Sequence, residues 1–221
     1  MEVTIEKEFG ERVPGYRAVI ITCDVENSPT SDACRAEMDA LAEEIQFRYK
    51  VEEINKIPAI AATRSAYKAC GKDPNRYRPS QEQLMRRIVR GLGLYTVNSI
   101  VDTGNMLSLR TGCSVGCFDA DKVDGETVTL GIGRHDEPYE GIGRGPLNIE
   151  GLPVFRDATG GIGTPTSDNE RTKIELTTRR MLMTIHLFSP EIDLEHTVDT
   201  ARELFSRHCH ATNFTVSTIS V

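Results

Sequence analysis

The residues best suited to bind a polar ligand form a glycine-rich stretch at positions 160–168, which reads GGIGTPTSD. Glycines let a ligand approach the backbone, and Thr164, Ser167 and Asp168 offer hydroxyl and carboxylate oxygens to a polar group. No Lys-Ser/Thr pair follows the glycines, and their spacing differs from that of a dinucleotide-binding fingerprint. We predict a binding loop that includes Gly161. The alternative is an ordinary turn in which Asp168 and Thr172 cap backbone groups.

A second polar set lies about sixty residues earlier and comprises Asn98, Asp102, Asn105, Ser108 and Arg110. If residues 100–109 are helical, Asp102, Asn105 and Ser108 share a face, because residues three apart are neighbours on a helix. Polar groups beside an apolar stripe must be hydrogen-bonded or face a cavity. We expect Asn98 and Asp102 to fix the turn, and Asn105 and Arg110 to contact a ligand. The alternative is that the whole set is hydrogen-bonded inside the fold.

The charge balance restricts how the chain could bind nucleic acid. Its net charge of −7 excludes a surface that grips phosphates everywhere, so any RNA contact must be local. One basic cluster with interleaved tyrosines exists, and it consists of Lys68, Lys72, Arg76, Arg78, Arg86, Arg87 and Arg90, with Tyr67 and Tyr77. A solvated helix face followed by a loop is the alternative interpretation of this cluster.

The histidines and cysteines do not have the spacing of a metal or nucleophile site. His196, His208 and His210 include no pair at i, i+4 and no third ligand at a suitable distance along the chain. Cys113 and Cys117 have no neighbouring base that could generate a thiolate. We therefore predict no metal site, no cofactor and no catalytic cysteine.

Neither membrane nor export signals are visible in the sequence. No apolar run approaches the ~20 residues that a membrane span requires, and the first residues, MEVTIEKEFG, lack the pattern of a signal peptide. The six cysteines are scattered without the close pairing of a zinc ribbon. We expect a cytoplasmic protein with reduced thiols and no membrane partner.

Hydrophobic periodicity predicts helices that alternate with short strands. An amphipathic stripe of Cys34, Met38, Leu41, Ile45 and Tyr49 predicts the first long helix. Further helices are predicted at 59–69, 80–90, 100–109 and 193–209, and strands at 18–25, 115–118, 127–132, 154–156, 181–188 and 213–221. This order is typical of an α+β fold in which helices cover one side of a mixed β-sheet.

The boundaries of the 80–90 helix are marked by specific residues. Ser80 stands three residues before Gln83 and follows Pro79, which is the form of a capping box, and Gly91 marks the end of the helix. A well-defined helix is therefore expected to precede the polar set at Asn98.

Two blocks of sequence carry a family resemblance. The first runs from Arg76 to Asp121 and contains RYRPSQEQLMRRIV, NSIVDTGNM and CFDAD; the second is RDATGGIGTPTSDNERT, from Arg156 to Thr172. Together they resemble the B3/B4 domain of the phenylalanyl-tRNA synthetase beta subunit. The resemblance implies a free-standing protein with a single B3/B4-like domain over residues 1–221, made of a core at 63–221 and an N-terminal βα elaboration at 1–62.

The resemblance also implies roles for particular residues. The matching loop of the synthetase lines an editing cavity, which implies that Asn105 and Asp168 are catalytic. The substrate would contact a larger set of residues, namely Arg78, Asn98, Arg110, Gly161, Thr164, Ser167 and Arg171. The family's Thr and His, associated with positioning the ester and the hydrolytic water, are replaced here by Gly104 and Gly116.

Three functions are compatible with this pattern. The first is a protein that binds aminoacyl-tRNA ends and hydrolyses mischarged esters in trans, such as Tyr on tRNA(Phe), using groups other than the family's Thr and His. The second is a binding module for an amino acid, a small metabolite or an RNA end that has lost catalysis, which Gly104 and Gly116 favour. The third is a structural partner of another protein.

Overall fold

The computed structural model describes residues 1–221. Its helices are α1 (Lys7–Arg12), α2 (Asp32–Arg48), α3 (Pro58–Cys70), α4 (Ser80–Val89), α5 (Ser99–Thr111) and α6 (Leu194–Cys209). Its strands are β1 (Glu2–Ile5), β2 (Arg17–Asp24), β3 (Ser114–Asp119), β4 (Thr127–Ile132), β5 (Glu140–Gly141), β6 (Gly145–Pro146), β7 (Pro153–Arg156), β8 (Gly161–Thr164), β9 (Ser167–Asp168), β10 (Arg180–Leu187) and β11 (Thr212–Ser220).

The strands form two main sheets and one small hairpin. The first sheet has the order β1-β4-β7-β8-β9 and is mixed, because β1 pairs with β4 in parallel and the remaining pairs are antiparallel. The second has the order β11-β2-β10-β3 and is antiparallel throughout. β5 and β6 pair only with each other. The strands expected in one sheet are therefore divided between two.

The antiparallel sheet lies between two hydrophobic cores. Successive side chains of a strand point to opposite faces, and in β10 Met181, Met183 and Ile185 belong to a core shared with the helices, whereas Leu182 belongs to a second core. The second core includes Leu130 of the mixed sheet. The order of layers is therefore helices, antiparallel sheet and mixed sheet, which confirms the predicted α+β class.

Most predicted elements are present with small shifts at their ends. The strand predicted at 127–132 is β4 with the same limits, and the helix predicted at 100–109 is α5, one residue longer at its start and two at its end. The glycine-rich stretch differs from the prediction, because residues 161–164 and 167–168 form strands β8 and β9, so the loop is reduced to a tight turn between them.

The capping box predicted at the start of α4 is wrong. Pro79 is the N-cap residue and Ser80 is already helical, and no side chain caps this end. Gln83 instead donates a hydrogen bond to the carbonyl of Arg78 (2.7 Å). The predicted end is confirmed, because Gly91 has a φ of +76° and its N–H donates to the carbonyl of Ile88 (2.8 Å).

Residues 1–62 supply elements that lie inside the sheets. β2 lies between β11 and β10, and its register with β10 pairs Arg17 with Leu187 and Asp24 with Arg180. α2 packs its buried face, which includes Met38 and Ile45, against the helix-side core. A strand bonded on both sides is an integral part of the fold.

None of the helices is long and apolar enough to span a bilayer.

Candidate functional site

A small cavity lies where the edges of the two sheets meet. Its volume is about 220 Å³. The residues that line it come from α4, the segment after α4, α5, β3, the β5–β6 turn and the β8–β9 hairpin, and are Ser80, Gln83, Leu84, Tyr95, Asn105, Val115, Ile142, Arg144, Thr164, Thr166, Ser167 and Asp168. Of the nine residues predicted to form the site, the structure brings together four here: Asn105, Thr164, Ser167 and Asp168.

The β8–β9 turn is held rigidly by Thr164. Its Oγ1 accepts hydrogen bonds from the N–H groups of Thr166 (3.2 Å) and Ser167 (3.1 Å), and it donates to the carbonyl of Ser167 (3.0 Å). The hydroxyl of Tyr139 donates to that same carbonyl (2.7 Å). The hydroxyl of Thr164 is therefore engaged in shaping the turn, and the turn holds the adjacent Asp168 in place.

The glycines of β8 allow aromatic rings to approach the hairpin. A Cβ built on Gly161 would lie 2.8 Å from a ring carbon of Tyr139, and one built on Gly163 would lie 2.4 Å from Cζ of Phe118. Side chains do not fit at such distances, so these positions require glycine for space. Gly161 thus supports the wall of the cavity, and it is not among the residues that line it.

Asp168 is the chemically distinctive group of the cavity. Although the residue as a whole is partly exposed, its carboxyl group is surrounded by protein between β9 and β3. Oδ2 accepts a hydrogen bond from the backbone N–H of Cys117 (3.3 Å), and Oδ1 has no hydrogen-bond partner in the chain. Burial raises the pKa of Asp168 to about 8, and the bond from Cys117 only partly opposes this shift.

Gly116 provides the space that the Asp168 carboxyl occupies. A Cβ built on Gly116 would lie 3.2 Å from Oδ1 of Asp168, 3.0 Å from Oγ1 of Thr184 and 2.7 Å from Cζ of Phe118. Oγ1 of Thr184 is itself buried without a hydrogen-bond partner. The position at which the family resemblance places a His is therefore filled by a carboxyl group that comes from another strand.

Gly104 lies on the face of α5 that packs on β3. A Cβ built on it would lie 3.1 Å from Sγ of Cys117. This close approach of helix and strand leaves little space for the hydroxyl and methyl groups of the family's Thr. Both glycines are therefore explained by packing around Cys117 and Asp168.

The mouth of the cavity carries an amide, a cation and a ring. The side-chain amide of Asn105 forms no hydrogen bond within the chain and is partly exposed. Arg144 donates from Nη2 to Oε1 of Gln83 (2.6 Å). The ring of Tyr95 stands at the rim with the guanidinium of Arg87 5.2 Å from its centroid. A ligand here would meet neutral donors and acceptors, one positive group and an aromatic face.

Five of the predicted site residues do not line this cavity. Asn98 caps α5, since its Oδ1 accepts from the N–H of Val101 (3.0 Å), as its predicted role in the turn required. Arg110 pairs with Glu37 at 2.7 Å, beside a larger groove of about 680 Å³ among α2, α3, α5 and α6. The remaining three are Gly161, Arg78, which is exposed at the start of α4, and Arg171, which binds Asp157 with two hydrogen bonds (2.7 and 2.9 Å).

The basic cluster of the sequence is dispersed in the fold. Arg86 is half-buried and donates to the buried carboxylate of Glu82 (2.8 Å), and Nζ of Lys72 donates to two backbone carbonyls, of Asn148 (2.8 Å) and Glu150 (2.7 Å). These two cations are engaged inside the protein. The exposed basic residues that remain are Lys68, Arg76, Arg78 and Arg90.

Several residues of the cavity were not predicted from the sequence. Gln83 was predicted only as part of a helix cap, and neither Tyr95 nor Arg144 was among the predicted site residues. A pattern of local spacing carries no signal for Arg144, because the β5–β6 turn reaches the site only through tertiary contact.

The thiols and imidazoles lie in environments different from that of the cavity. All six cysteines are buried and free, and burial raises the pKa of Cys113 to about 12 and that of Cys117 well above its usual range. Nε2 of His208 donates to a carboxylate oxygen of Glu37 (2.8 Å), and His208 lies on α6, away from the cavity. No group of three His, Cys, Asp or Glu side chains is arranged as a metal site.

Comparison with known proteins identifies a matching family and a protein of similar structure. A family model described as B3/4 domain matches residues 62–215. An N-terminal fragment of the phenylalanyl-tRNA synthetase beta-subunit from Pyrococcus horikoshii is similar in structure, with a TM-score of 0.50 and 11% sequence identity. The match covers 96% of this chain and 50% of the fragment, so the chain spans about half its length. No match was found among curated proteins. At this identity the structural likeness shows the fold.

Proposed function

Because the chain belongs to the B3/4 domain family, we propose that its cavity at Asp168 binds the aminoacyl end of a tRNA and that the protein hydrolyses the ester of mischarged species in trans. Asn105 and Asp168 are the residues that contact the reacting end of the substrate. The contact with RNA is local, because the chain carries a net charge of −7.

One observation carries this proposal. The cavity contains two polar groups without partners in the chain, Oδ1 of Asp168 and the amide of Asn105, where helices α4 and α5 meet β3 and the β8–β9 hairpin. Pockets for drug-sized ligands measure about 300–1,000 Å³, and a volume of about 220 Å³ suits a group the size of an amino acid. Unpaired polar groups in a cavity of this size are suited to bind a polar ligand of the same size.

The reaction proposed is ester hydrolysis by water. The water oxygen attacks the acyl carbon, and the bond between that carbon and the ribose oxygen breaks. The proton lost by the water balances the one gained by the ribose oxygen, so the products are a free amino acid and an uncharged tRNA. The amide N–H of Asn105 is placed to donate to the carbonyl oxygen as it becomes negative, which lowers the barrier.

A binding module without catalysis is the second candidate, and Gly104 and Gly116 favour it. The packing around Cys117 and Asp168 leaves no space for a Thr or a His at these positions. A glycine has no side chain to position water, and no imidazole lines the cavity. In this case the protein binds the same aminoacyl group or a related amino acid and releases it unchanged.

Thermal unfolding with a non-hydrolysable ligand tests binding separately from turnover. The probe is an aminoacyl-adenosine in which an amide replaces the ester, offered with a panel of amino-acid side chains. Binding to the native state alone stabilises it by RT ln(1 + L/Kd) at ligand concentration L, so the unfolding temperature rises with ligand concentration. We expect stabilisation of the wild-type protein and its loss in Asn105→Ala, whereas Arg110→Ala, outside the cavity, behaves like wild type. Absence of stabilisation by every member of the panel contradicts the proposal.

A further inference from the structure

The floor of the cavity has a carboxyl group with no positive partner. Asp168 lines the cavity, and no Lys, Arg or His lies within 4.0 Å of its carboxyl oxygens, although nineteen such ion pairs occur elsewhere in the chain. Taking an unpaired carboxylate out of water is costly, and a cation in contact offsets this cost. The unliganded protein offers no such cation to Asp168.

From this geometry we infer that Asp168 binds the α-ammonium group of the ligand, so that the site recognises a free amino acid moiety and rejects N-acylated and α-hydroxy analogues. This inference rests on the proposed function and deepens it, because it assigns the group of the substrate that enters the cavity first. The contact is made by Oδ1, which has no partner, while Oδ2 stays bonded to the N–H of Cys117 (3.3 Å).

An ammonium group fits the surroundings better than a metal ion. It has three N–H donors, and the cavity offers the carboxylate of Asp168, the hydroxyl oxygen of Ser167 and the amide oxygen of Asn105 as acceptors. A metal ion needs several charged or imidazole ligands, and no group of three such side chains exists in the chain. These three oxygen acceptors therefore favour an ammonium group over a metal ion.

The charge distribution across the cavity also orients the ligand. Arg144 stands at the mouth and donates to Gln83 (2.6 Å), while Asp168 lies at the inner end. A ligand with an ammonium group at one end and a phosphate or carboxylate at the other would place the ammonium inward. An aminoacylated nucleotide and a free amino acid both have this polarity.

The titratable side chains next to Asp168 are uncharged in the unliganded protein. The groups coupled to Asp168 are the thiol of Cys117 and the hydroxyl of Tyr139, and burial raises the pKa of each, so both are uncharged at neutral pH. Besides Asp168, Arg144 is the only Asp, Glu, Lys, Arg or His among the residues that line the cavity. With its pKa raised to about 8 by burial, Asp168 is itself mostly protonated at pH 7 and ionises when the cation binds.

Calorimetry at pH 6 with three matched probes tests this inference. The probes are the amide-linked aminoacyl-adenosine with a free amine, its N-acetyl form and its α-hydroxy counterpart. At pH 6 a free α-amine, with a pKa of about 8, and Asp168 both carry their protons. Forming the ion pair therefore releases about one proton, which appears as a difference in binding heat between buffers of different ionisation enthalpy.

Two outcomes separate this inference from the function on which it rests. We expect the free amine to bind at least about tenfold more tightly than the other two probes, and Asp168→Asn to abolish both this preference and the proton release. Asn keeps an acceptor for Cys117, so the hairpin is preserved. Equal binding of all three probes overturns the ammonium assignment and leaves the proposed function intact. Binding of none of them overturns both.

Discussion

The carboxyl group of Asp168 accepts a hydrogen bond from the backbone N–H of Cys117 at 3.3 Å, and this bond links strand β9 of the mixed sheet to strand β3 of the antiparallel sheet. It occurs where two sheet edges meet, beside Gly116, which has no side chain to occupy the same space. Asp168 is thus both a polar residue of the cavity and a structural link between two layers. Its protonation state therefore affects stability.

Replacing Asp168 by Asn should stabilise the protein increasingly as the pH rises. The unfolded carboxyl has a pKa near 3.8 and the folded one a pKa of about 8, so its contribution to stability is complete below the first value and is lost as the pH rises through the second. Asn stays neutral throughout. Thermal unfolding at pH 5, 7 and 9 should show a growing advantage of the variant, and an advantage that does not change with pH contradicts the buried, neutral carboxyl.

Gly116→Ala should destabilise the protein and impair binding, because the added Cβ would lie 2.7 Å from Cζ of Phe118 and 3.2 Å from Oδ1 of Asp168. Overpacking of this kind costs about 1–3 kcal/mol. Gly104→Ala is the matched control, since its Cβ meets one sulphur at 3.1 Å and Ala gains about 1 kcal/mol of helix propensity over Gly. Chemical denaturation and ligand titration report both effects; an unchanged Gly116→Ala protein would contradict the packing described.

Glu82→Gln should destabilise the protein strongly. The Glu82 side chain is fully buried and accepts hydrogen bonds from Arg64 (2.9 Å) and Arg86 (2.8 Å), which joins α3 to α4 behind the cavity. Removing one partner of a buried ion pair costs about 3–5 kcal/mol, because the other charge is left unpaired. Glu8→Gln, which breaks an exposed pair with Arg12, is the control and should change little. A similarly small effect at Glu82 would contradict its role.

His186→Gln should reduce the loss of stability in acid. Burial lowers the pKa of His186 to about 3, so its contribution is present above the unfolded value near 6.5 and is lost as the pH falls toward 3. Nδ1 and the hydroxyl of Tyr16 are joined by a hydrogen bond (2.7 Å), and the amide of Gln can supply either a donor or an acceptor for that hydroxyl. The unfolding temperature between pH 7 and pH 4 should fall less steeply in this variant.

Tyr16→Phe separates titration from hydrogen bonding in that measurement. It removes the hydroxyl that is hydrogen-bonded to His186 and keeps the imidazole, so the unfolding temperature of the variant should be lower at every pH while the steep acid slope remains. If His186→Gln keeps the wild-type slope, the buried neutral imidazole is not the source of the acid sensitivity.

Local sequence patterns were sufficient to predict most of the helices and strands. The strand at β10 and the amphipathic helix α2 are properties of single segments, and both were predicted from the local sequence. The division into two sheets depends on which strand edges pair over long distances. Pairing of β2 with β10 joins residues more than 150 positions apart, and no local signal encodes it.

Two predicted site residues, Asp168 and Ser167, lie together at the cavity because a single hairpin fixes the position of both. Their role in binding stays a prediction. Arg110 was grouped with Asn105, yet five residues along a helix correspond to a rotation of about 140°, so the two side chains point away from each other. Arg110 accordingly pairs with Glu37 on another face.

The presence of Arg144 and Gln83 at the cavity depends on tertiary structure. Arg144 reaches Gln83 from a turn sixty-one residues further along the chain. Gln83 was predicted only as part of a helix cap, and Arg144 was given no role. A polar residue next to a glycine-rich turn has the same local pattern whether it faces solvent or a cavity. Only the docking of the β5–β6 turn against α4 distinguishes the two.

The most direct measurement is release of labelled amino acid from aminoacyl-tRNAs by the purified protein. The substrates are Tyr-tRNA(Phe), Phe-tRNA(Phe) and a panel of other mischarged tRNAs, and the variants are Asp168→Asn, Asn105→Ala and Arg110→Ala, each checked for folding by thermal unfolding. We predict selective release by the wild type and by Arg110→Ala, and loss of release in the two cavity variants. No release from any tRNA by the folded wild-type protein would contradict the proposed hydrolysis.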